Sequence, residues 1–316
     1  MNTAMPMNAV VPNRADGDGR VHVSLAELIR LRARVERLTL PPVDSRAVRA
    51  GQQTSRLYGR GMDYAESRAY QPGDDVRRLD WRLTARSGKL HTKLFQEERE
   101  GRLLILLDSH VSMRFGTRAR FKSVQAARAA ALAAWYAVRA GERVGLLAFG
   151  GHGRMLRPRG GAHGALAVCG ALAEWDALPD MGNEPLSEAL RRANRLQHGA
   201  SRVLLISDGL SCDDAARGRL LDMTRHAEVR VLVVADPLEL QLPPAGRYPL
   251  EHAGERREVS LLRARERSDF QRHLGVGQAH LRTLAKSLGL HVQGVDTTAD
   301  PLDAISTLMR AGRVAR

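Results

Sequence analysis

The chain has 316 residues, 43% of them hydrophobic, which is enough to bury the core of one large domain or two ordinary ones. No stretch reaches the about 18 apolar residues of a membrane-spanning helix, and the longest run, residues 129–138, is bracketed by Arg128 and Arg139. The first residues lack the basic start and apolar block of a signal peptide. Cys169 and Cys212 form no metal or redox spacing. We therefore expect a cytoplasmic protein with a disordered leader over residues 1–23.

The formal net charge of +14 raises the question of nucleic-acid binding. The charge is spread along the chain rather than gathered in a tail or block. All but four of the 49 basic residues are arginine, a bias that points to composition rather than to a local binding patch. Aromatic residues make up 4% of the chain, too few for an obvious base-stacking surface. Composition therefore argues against nucleic acid as the main partner.

The first predicted element is a helix over residues 24–38, where leucines recur at helical spacing behind Ser24 as N-cap. Residues 70–95 then place six basic residues and three aspartates around Trp81 and Phe95. We predict that this stretch is a charged β-hairpin whose two extended segments flank Ser87 and Gly88. With the preceding helix it would form an N-terminal region over residues 24–100.

Short apolar runs alternate with helical segments over residues 101–312. The runs lie at residues 103–108, 143–149, 203–209, 229–236 and 291–296, and helices are predicted at 121–140, 186–196, 213–226, within 262–288 and at 301–310. This alternation predicts an α/β fold with a doubly wound, mostly parallel sheet covered on both faces. The prolines of residues 237–262 predict an insertion that contains a hairpin.

Four of the apolar runs end in aspartate: Asp108, Asp208, Asp236 and Asp296. Ligands of such sheets bind outside the carboxyl ends of the strands, where the strand order reverses. Asp108 and Asp208 would converge there if their strands are neighbours, and two adjacent carboxylates favour a cation. The alternative is that a strand-end aspartate only accepts hydrogen bonds from backbone amides. We favour this interpretation for Asp236 and Asp296.

Three segments resemble a von Willebrand factor A domain. LLILLDSHVSM (residues 103–113) is similar to its first strand and metal-ion-dependent adhesion-site loop, whose pattern is Asp-x-Ser-x-Ser. LLISDG (204–209) resembles the strand with that site's later aspartate, and GNEPLSEAL (182–190) the segment that supplies a threonine. The resemblance implies a site at Asp108, Ser112 and Asp208, with His110 and Glu184 in place of a serine and the threonine.

The two replacements leave two alternatives for this site. Histidine and glutamate in place of weak hydroxyl ligands favour Mn²⁺ or Zn²⁺ over Mg²⁺. Alternatively, His110 caps a loop, Glu184 lies at a helix start, and the site has lost its metal. We favour loss of the metal.

A longer resemblance covers the charged stretch. It is similar to the signature of the bacterial domain of unknown function family 58, which runs Arg-Gly-x-Gly, Arg-x-Tyr-x-x-Gly-Asp-Asp and Asp-Trp-x-x-Ser/Thr-Ala-Arg. The matching residues, which are also a candidate partner surface, include Arg60, Gly61, Arg68, Tyr70, Gly73, Asp74, Asp75, Arg77, Asp80, Trp81 and Arg86. The resemblance implies a role beside a MoxR-type AAA+ ATPase and other von Willebrand factor A proteins.

Two functional hypotheses follow. The first is a non-enzymatic adaptor or assembly factor that acts with the ATPase, since no Walker-type phosphate loop and no nucleophile–base spacing is present. The alternative is a nucleic-acid-binding protein or metal-dependent nuclease. We favour the adaptor, with a divalent cation (Mg²⁺, Mn²⁺ or Zn²⁺) as the one candidate cofactor. We also predict that the charged stretch is a rigid platform in which Asp80 pairs with an arginine buried beside Trp81.

Overall fold

The structure, a computed structural model, describes residues 17–39, 62–97, 101–151, 153–178, 182–196, 202–241, 243–252 and 255–310. The chain forms two compact units, residues 1–40 with 101–316 and residues 41–100. In chain order the elements are α1 (Leu25–Glu36), β1 (Met62–Ala69), α2 (Trp81–Ser87), β2 (His91–Glu97), β3 (Arg102–Asp108), α3 (Lys122–Arg139), β4 (Arg143–Phe149), β5 (Met155–Arg159), α4 (Gly161–Asp176), α5 (Leu186–Leu196), β6 (Arg202–Ser207), α6 (Ala216–Thr224), β7 (Glu228–Ala235), α7 (Pro237–Leu240), β8 (Gly246–His252), β9 (Glu255–Leu261), α8 (Ala264–Leu274), α9 (Val276–Ser287), β10 (His291–Asp296) and α10 (Pro301–Arg310).

A six-stranded sheet in the order β10-β7-β6-β3-β4-β5 forms the centre of the larger unit. Neighbouring strands are parallel except for β5, which runs antiparallel to β4 at one edge. The chain leaves β3 for β4 on one side and later places β6 on the other, so the strand order reverses at β3. The predicted α/β fold with a doubly wound, mostly parallel sheet is confirmed.

Two apolar layers cover the sheet, because successive side chains of each strand point to opposite faces. Ile105 and Leu204 belong to the layer beneath α1, α3, α4 and α10. Leu106 and Leu205 belong to the layer beneath α5, α6 and α9. The alternation continues past the strand ends, so it also decides which face each strand-end aspartate joins.

Helix α1 belongs to the larger unit, contrary to the predicted grouping of residues 24–100. Its buried Leu28, Leu31 and Val35 join the same apolar layer as α3 and α4. Trp135 Nε1 of α3 donates to the Leu28 carbonyl at 3.1 Å. The helix is amphipathic, and the apolar face that it must bury is the reason for this placement.

The predicted leader over residues 1–23 lies outside the described residues up to residue 16. From residue 17 onward the chain forms a defined turn, in which Asp18 Oδ1 accepts three backbone N–H bonds. These bonds lower the pKa of Asp18 to about 2. The leader prediction is therefore wrong for residues 17–23.

The smaller unit contains an antiparallel pair, β1 with β2, and the helix α2. Residues 81–87 were predicted to be extended but are helical, because both ends carry strong caps. Asp80 Oδ1 accepts from Leu83 N at 3.0 Å, and Gly88 adopts the left-handed conformation with φ 69°. The predicted second strand is confirmed as β2, but the first was misplaced and is β1.

Other predicted elements lie close to the observed ones, and the hairpin expected within residues 237–262 is formed by β8 and β9. The sequence prediction missed β5 and α4. The first is a short edge strand that contains Pro158, and the second contains three glycines, so neither shows a strong local pattern.

Candidate functional site

The carboxylate of Asp108 is buried at the end of β3, and its two oxygens accept four hydrogen bonds. Oδ1 accepts from the backbone N of His110 at 3.0 Å and from its Nδ1 at 2.7 Å. Oδ2 accepts from Ser207 Oγ at 2.5 Å and from Ser211 Oγ at 3.0 Å. Donors from the protein itself therefore already surround this carboxylate.

Sequence analysis missed Ser207 and Ser211. The parallel pairing of β3 with β6 sets Leu107 opposite Ile206, which brings the next residues, Asp108 and Ser207, together. The residue that meets Asp108 across the sheet is thus the serine before Asp208. Strand register, which the sequence alone did not give, decides this.

Asp208 binds an internal ammonium group. Its Oδ2 accepts from Lys122 Nζ at 2.8 Å, and the same nitrogen donates to Glu239 Oε1 at 2.7 Å. The Lys122 side chain is only 1% exposed, and it begins α3 on the layer that Ile206 also joins. Asp208 lies two residues after Ile206 and therefore on the same face of the sheet as Ile206. Asp108 lies two residues after Leu106, which belongs to the layer on the opposite face. The two aspartates share no hydrogen-bonding group among the described residues.

The pKa directions match one ammonium shared by two buried carboxyl groups. Burial alone would lower the pKa of Lys122, but the charges of Asp208 and Glu239 outweigh it and raise that pKa. Burial raises the pKa of Glu239, and its attraction to Lys122 only partly opposes this. Lys122 is thus held charged, and Glu239 is the carboxyl group that takes up a proton more readily than usual.

A further buried carboxylate, Asp236, joins three loops at the same edge of the sheet. It accepts from Thr117 N at 2.9 Å and from Thr297 Oγ1 at 2.8 Å. It also caps α7 by accepting from Leu238 N at 3.0 Å, while its own N donates to Glu239 Oε2 at 2.8 Å. Asp236 thus has the backbone-capping role that its strand-end position predicts, and it fixes Glu239 beside Lys122.

Glu184 and Ser112, the remaining predicted ligands apart from His110, lie in other environments. Glu184 accepts from Arg192 Nη2 at 2.8 Å, and the same nitrogen donates to the carbonyl of Ala148. Ser112 follows β3 in a short 3₁₀ turn, and its hydroxyl is buried without a hydrogen-bond partner among the described residues. Glu184 is therefore engaged by an arginine rather than directed to a metal.

The predicted metal ligands are not assembled into one site. Within the described part of the chain, no three His, Cys, Asp or Glu side chains are arranged to hold a metal ion. Lys122 and Arg192 already neutralise Asp208 and Glu184, and the oxygens of Asp108 are occupied by protein donors. A divalent cation would have to displace a buried ammonium, so the residues present do not fit the metal that the resemblance implies.

Exposed aliphatic side chains surround this polar centre. Val111 follows β3, Leu210 follows β6, Leu240 ends α7 and Val276 begins α9. Between 39% and 55% of each of these side chains is exposed. The start of α9 packs closely on the loop after β6, since a Cβ at Gly277 would lie 2.7 Å from Leu210 Cγ. We call these four residues the apolar rim.

The acidic residues of the family signature are engaged locally. Asp74 accepts from Gln71 N at 2.9 Å and from Arg68 Nη2 at 2.7 Å, and these bonds lower its pKa. Asp75 accepts from the backbone N of Arg77 at 3.0 Å, which caps a 3₁₀ turn. The sequence prediction of local Asp–Arg pairing thus holds for Asp74.

Asp80 and Trp81 differ from their predicted roles. Asp80 is buried, but besides Leu83 N its partner is Ser67 Oγ at 2.7 Å, and these bonds lower its pKa. Trp81 is 67% exposed. The predicted Asp80–arginine pair buried beside Trp81 is therefore wrong, because Asp80 is the N-cap of a helix whose first residue faces solvent.

The other signature residues are placed as follows. Tyr70 N donates to the Leu90 carbonyl at 2.9 Å, and Gly73 occupies a turn with φ 108° that favours glycine. Arg86 is exposed on α2. Arg60 and Gly61 lie outside the described residues.

A family model described as "Protein of unknown function DUF58" matches residues 66–280 of the chain. The chain belongs to this family. The predicted membership is confirmed, and the match spans both the charged stretch and most of the sheet. A similar relative is the uncharacterized protein Rv1480 of Mycobacterium tuberculosis (strain ATCC 25618 / H37Rv), 30% identical over 266 residues, or 83% of each chain.

Two solved structures are also similar to this DUF58 protein. One is the conserved hypothetical protein BatB from Bacteroides thetaiotaomicron, with a TM-score of 0.46 and 18% identity over 66% of this chain and 97% of that one. The other is an aerotolerance-related membrane protein from Bacteroides fragilis NCTC 9343, with a TM-score of 0.45 and 18% identity over 66% and 96% of the two chains.

The comparisons contradict the predicted cytoplasmic location. One of the similar structures is described as a membrane protein, so the location inferred from the sequence is wrong. Among the described residues, no helix combines the length and apolarity that crossing a bilayer requires.

Proposed function

We propose that this DUF58 protein is a non-enzymatic adaptor or assembly factor that works with a MoxR-type AAA+ ATPase. Its partner would bind at the carboxyl edge of the sheet, on the apolar rim, without a metal ion. The observation that carries the proposal is the buried ammonium of Lys122, bonded to Asp208 and Glu239.

Lys122 changes how such an edge can recognise a partner. In the adhesion site that the sequence resembles, the metal is left short of ligands and accepts a carboxylate from the partner. Here the positive charge belongs to a side chain that is 1% exposed and already contacts two carboxylates. It cannot reach a partner, so recognition falls to the exposed aliphatic groups around it, which suit contact with another protein.

The arrangement around Asp108 favours binding over catalysis. Asp108 holds His110 through Nδ1, as in an acid–base pair. The hydroxyls of Ser207 and Ser211, however, donate to Asp108 rather than to the imidazole. Neither of these two hydroxyls is bonded to an imidazole base, which supports the non-enzymatic alternative.

The test measures binding of the full chain to the purified MoxR-type ATPase of the same organism. Biolayer interferometry gives the affinity in the presence of ATP and in the presence of ADP. Val111→Asp and Leu210→Asp should each weaken binding about tenfold or more, because a charge would enter an apolar contact. Leu221→Asp is the matched control, since Leu221 is exposed to a similar extent on α6. Absence of binding with either nucleotide, or equal losses in rim and control variants, would refute the proposal.

A second arm tests independence from metal. The chain alone is treated with chelator, and the chelator is removed before mixing, so that the ATPase keeps its Mg²⁺. We expect unchanged affinity. A loss that added Mn²⁺ or Zn²⁺ restores would show that the partner needs a metal held by this chain.

A further inference from the structure

The most exposed large apolar side chain of the described residues is Trp81, the first residue of α2, with 67% of its surface accessible. The helix packs on β2 through its opposite side, where Thr84 Oγ1 accepts from His91 N at 3.1 Å. Trp81 and Ala85 are one turn apart and exposed, and so are Arg82 and Arg86. One side of α2 thus presents an aromatic ring and two guanidinium groups to solvent.

The surroundings of this helix side are strongly basic. In the described part of the chain, the side chains of Arg77, Arg82, Arg86 and Lys89 have no ion-pair partner. The three nearby aspartates do not neutralise them, because each is engaged elsewhere: Asp74 by Arg68, Asp75 as a turn cap and Asp80 as the N-cap of α2. The exposed charge is therefore positive.

We propose that the exposed side of α2, formed by Trp81, Arg82, Ala85 and Arg86, docks an acidic protein segment that carries apolar side chains. Tryptophan and arginine are the residues that most often dominate the energy of protein interfaces. Trp81 contributes little buried area to its own unit, so its exposure is not explained by folding. The unpaired arginines set the charge of the partner as negative. This surface belongs to the smaller unit, shares no residue with the apolar rim and does not depend on the ATPase proposal.

Other polyanions fit this surface less well than an acidic protein segment does. Single-stranded nucleic acid is bound by several aromatic rings that stack successive bases, whereas this side of α2 offers one. Binding of a helix to an anionic membrane needs a broad apolar face, and here the exposed apolar groups of α2 are Trp81 and Ala85. A protein segment with carboxylates around one or two apolar groups matches both the charge and the size of the surface.

Iodide quenching of tryptophan fluorescence gives a direct test with the full chain. The other two tryptophans, Trp135 and Trp175, are only 3% and 8% exposed, so iodide reports on Trp81. The probe is a synthetic peptide with one Leu-Phe pair between two runs of glutamate, at constant ionic strength. We expect it to protect Trp81, whereas peptides with Gly-Ser for Leu-Phe, or lysine for glutamate, should not.

Variants locate the binding by anisotropy of the fluorescein-labelled peptide. The double variant Arg82→Ala with Arg86→Ala, and separately Trp81→Ala, should each bind about tenfold more weakly, whereas Trp81→Phe should retain most of the affinity. Arg265→Ala is the control, because Arg265 is 94% exposed on α8 of the other unit. Circular dichroism checks that each variant is folded.

Three results would overturn the proposal. The first is no protection of Trp81 by the acidic peptide. The second is equal weakening by the Arg265 control. The third is protection by a single-stranded oligonucleotide or by phosphatidylglycerol vesicles when the peptide gives none, which would assign the surface to nucleic acid or to lipid.

Discussion

Lys122→Met isolates the contribution of the buried ammonium, because methionine keeps an unbranched stem of similar length and removes only the charged group. In the wild type, Nζ lies 2.8 Å from Asp208 and 2.7 Å from Glu239. Removing one partner of a buried ion pair leaves an uncompensated charge and costs about 3–5 kcal/mol. Because the pKa of Lys122 is raised in the folded state, its stabilisation is fully present at neutral pH and is lost only as pH rises through that pKa. The variant should therefore lose about 3–5 kcal/mol of unfolding free energy at neutral pH.

The deficit of Lys122→Met should depend on pH. Burial raises the pKa of Glu239, and without Lys122 the opposing attraction is gone, so that pKa rises further. A carboxyl group with a raised pKa stabilises the fold at low pH and loses this contribution as pH increases through the folded value. The deficit should thus be smaller at about pH 5 than at about pH 8.

Urea unfolding followed by tryptophan fluorescence measures this difference, since Trp135 and Trp175 are buried in the larger unit. Lys286→Met, at an exposed position of α9, is the control and should stay within about 0.5 kcal/mol of wild type. Adding Glu239→Gln to Lys122→Met should restore part of the loss, because one buried negative charge disappears. A loss below about 1 kcal/mol, or one that the control equals, would refute the assignment of a buried ion cluster.

Three further predictions concern other parts of the chain. Asp80→Ala should lower the melting temperature of the smaller unit, because Leu83 N loses its cap and Ser67 its acceptor; unchanged melting would show that the cap is unimportant. The lowered pKa of Asp80 means that its contribution is present above the ordinary carboxyl pKa and fades as pH falls through the folded one. The purified chain should show no ATPase, nuclease or peptidase turnover, and turnover that Asp108→Ala abolishes without unfolding would support the enzyme alternative. Burial raises the pKa of Cys169 to about 12 and that of Cys212 to about 11, so a thiol reagent at neutral pH should modify the native protein far more slowly than the unfolded one.

The sheet was predictable because its parallel strands are continuous apolar runs, as in LLILLD of β3, and local pattern alone identifies them. Helix α2 was missed although both of its signals are in the sequence. Asp80 is a favourable N-cap and Gly88 a favourable C-terminal residue, seven residues of helix apart. The many charged residues of the stretch favoured a charged hairpin as its interpretation, so the two caps and the solvent-facing position of Trp81 were not predicted.

The cation of the candidate site could not be placed from strand ends alone. Lysine is rarely buried, so the sequence alone favours a surface position for Lys122 at the start of an alanine-rich helix. One signal was available: four lysines stand in a chain whose other basic residues are arginine, and a compact ammonium is suited to a confined site between carboxylates. That Glu239 would be the second carboxylate depends on the capping of α7, which is a tertiary feature.

Elemental analysis of the chain purified without chelator tests most directly the claim that Lys122 takes the place of a metal. The account predicts no stoichiometric metal in the wild type, because the ammonium already occupies Asp208. Stoichiometric zinc or manganese, lost in both His110→Ala and Asp208→Ala, would contradict it.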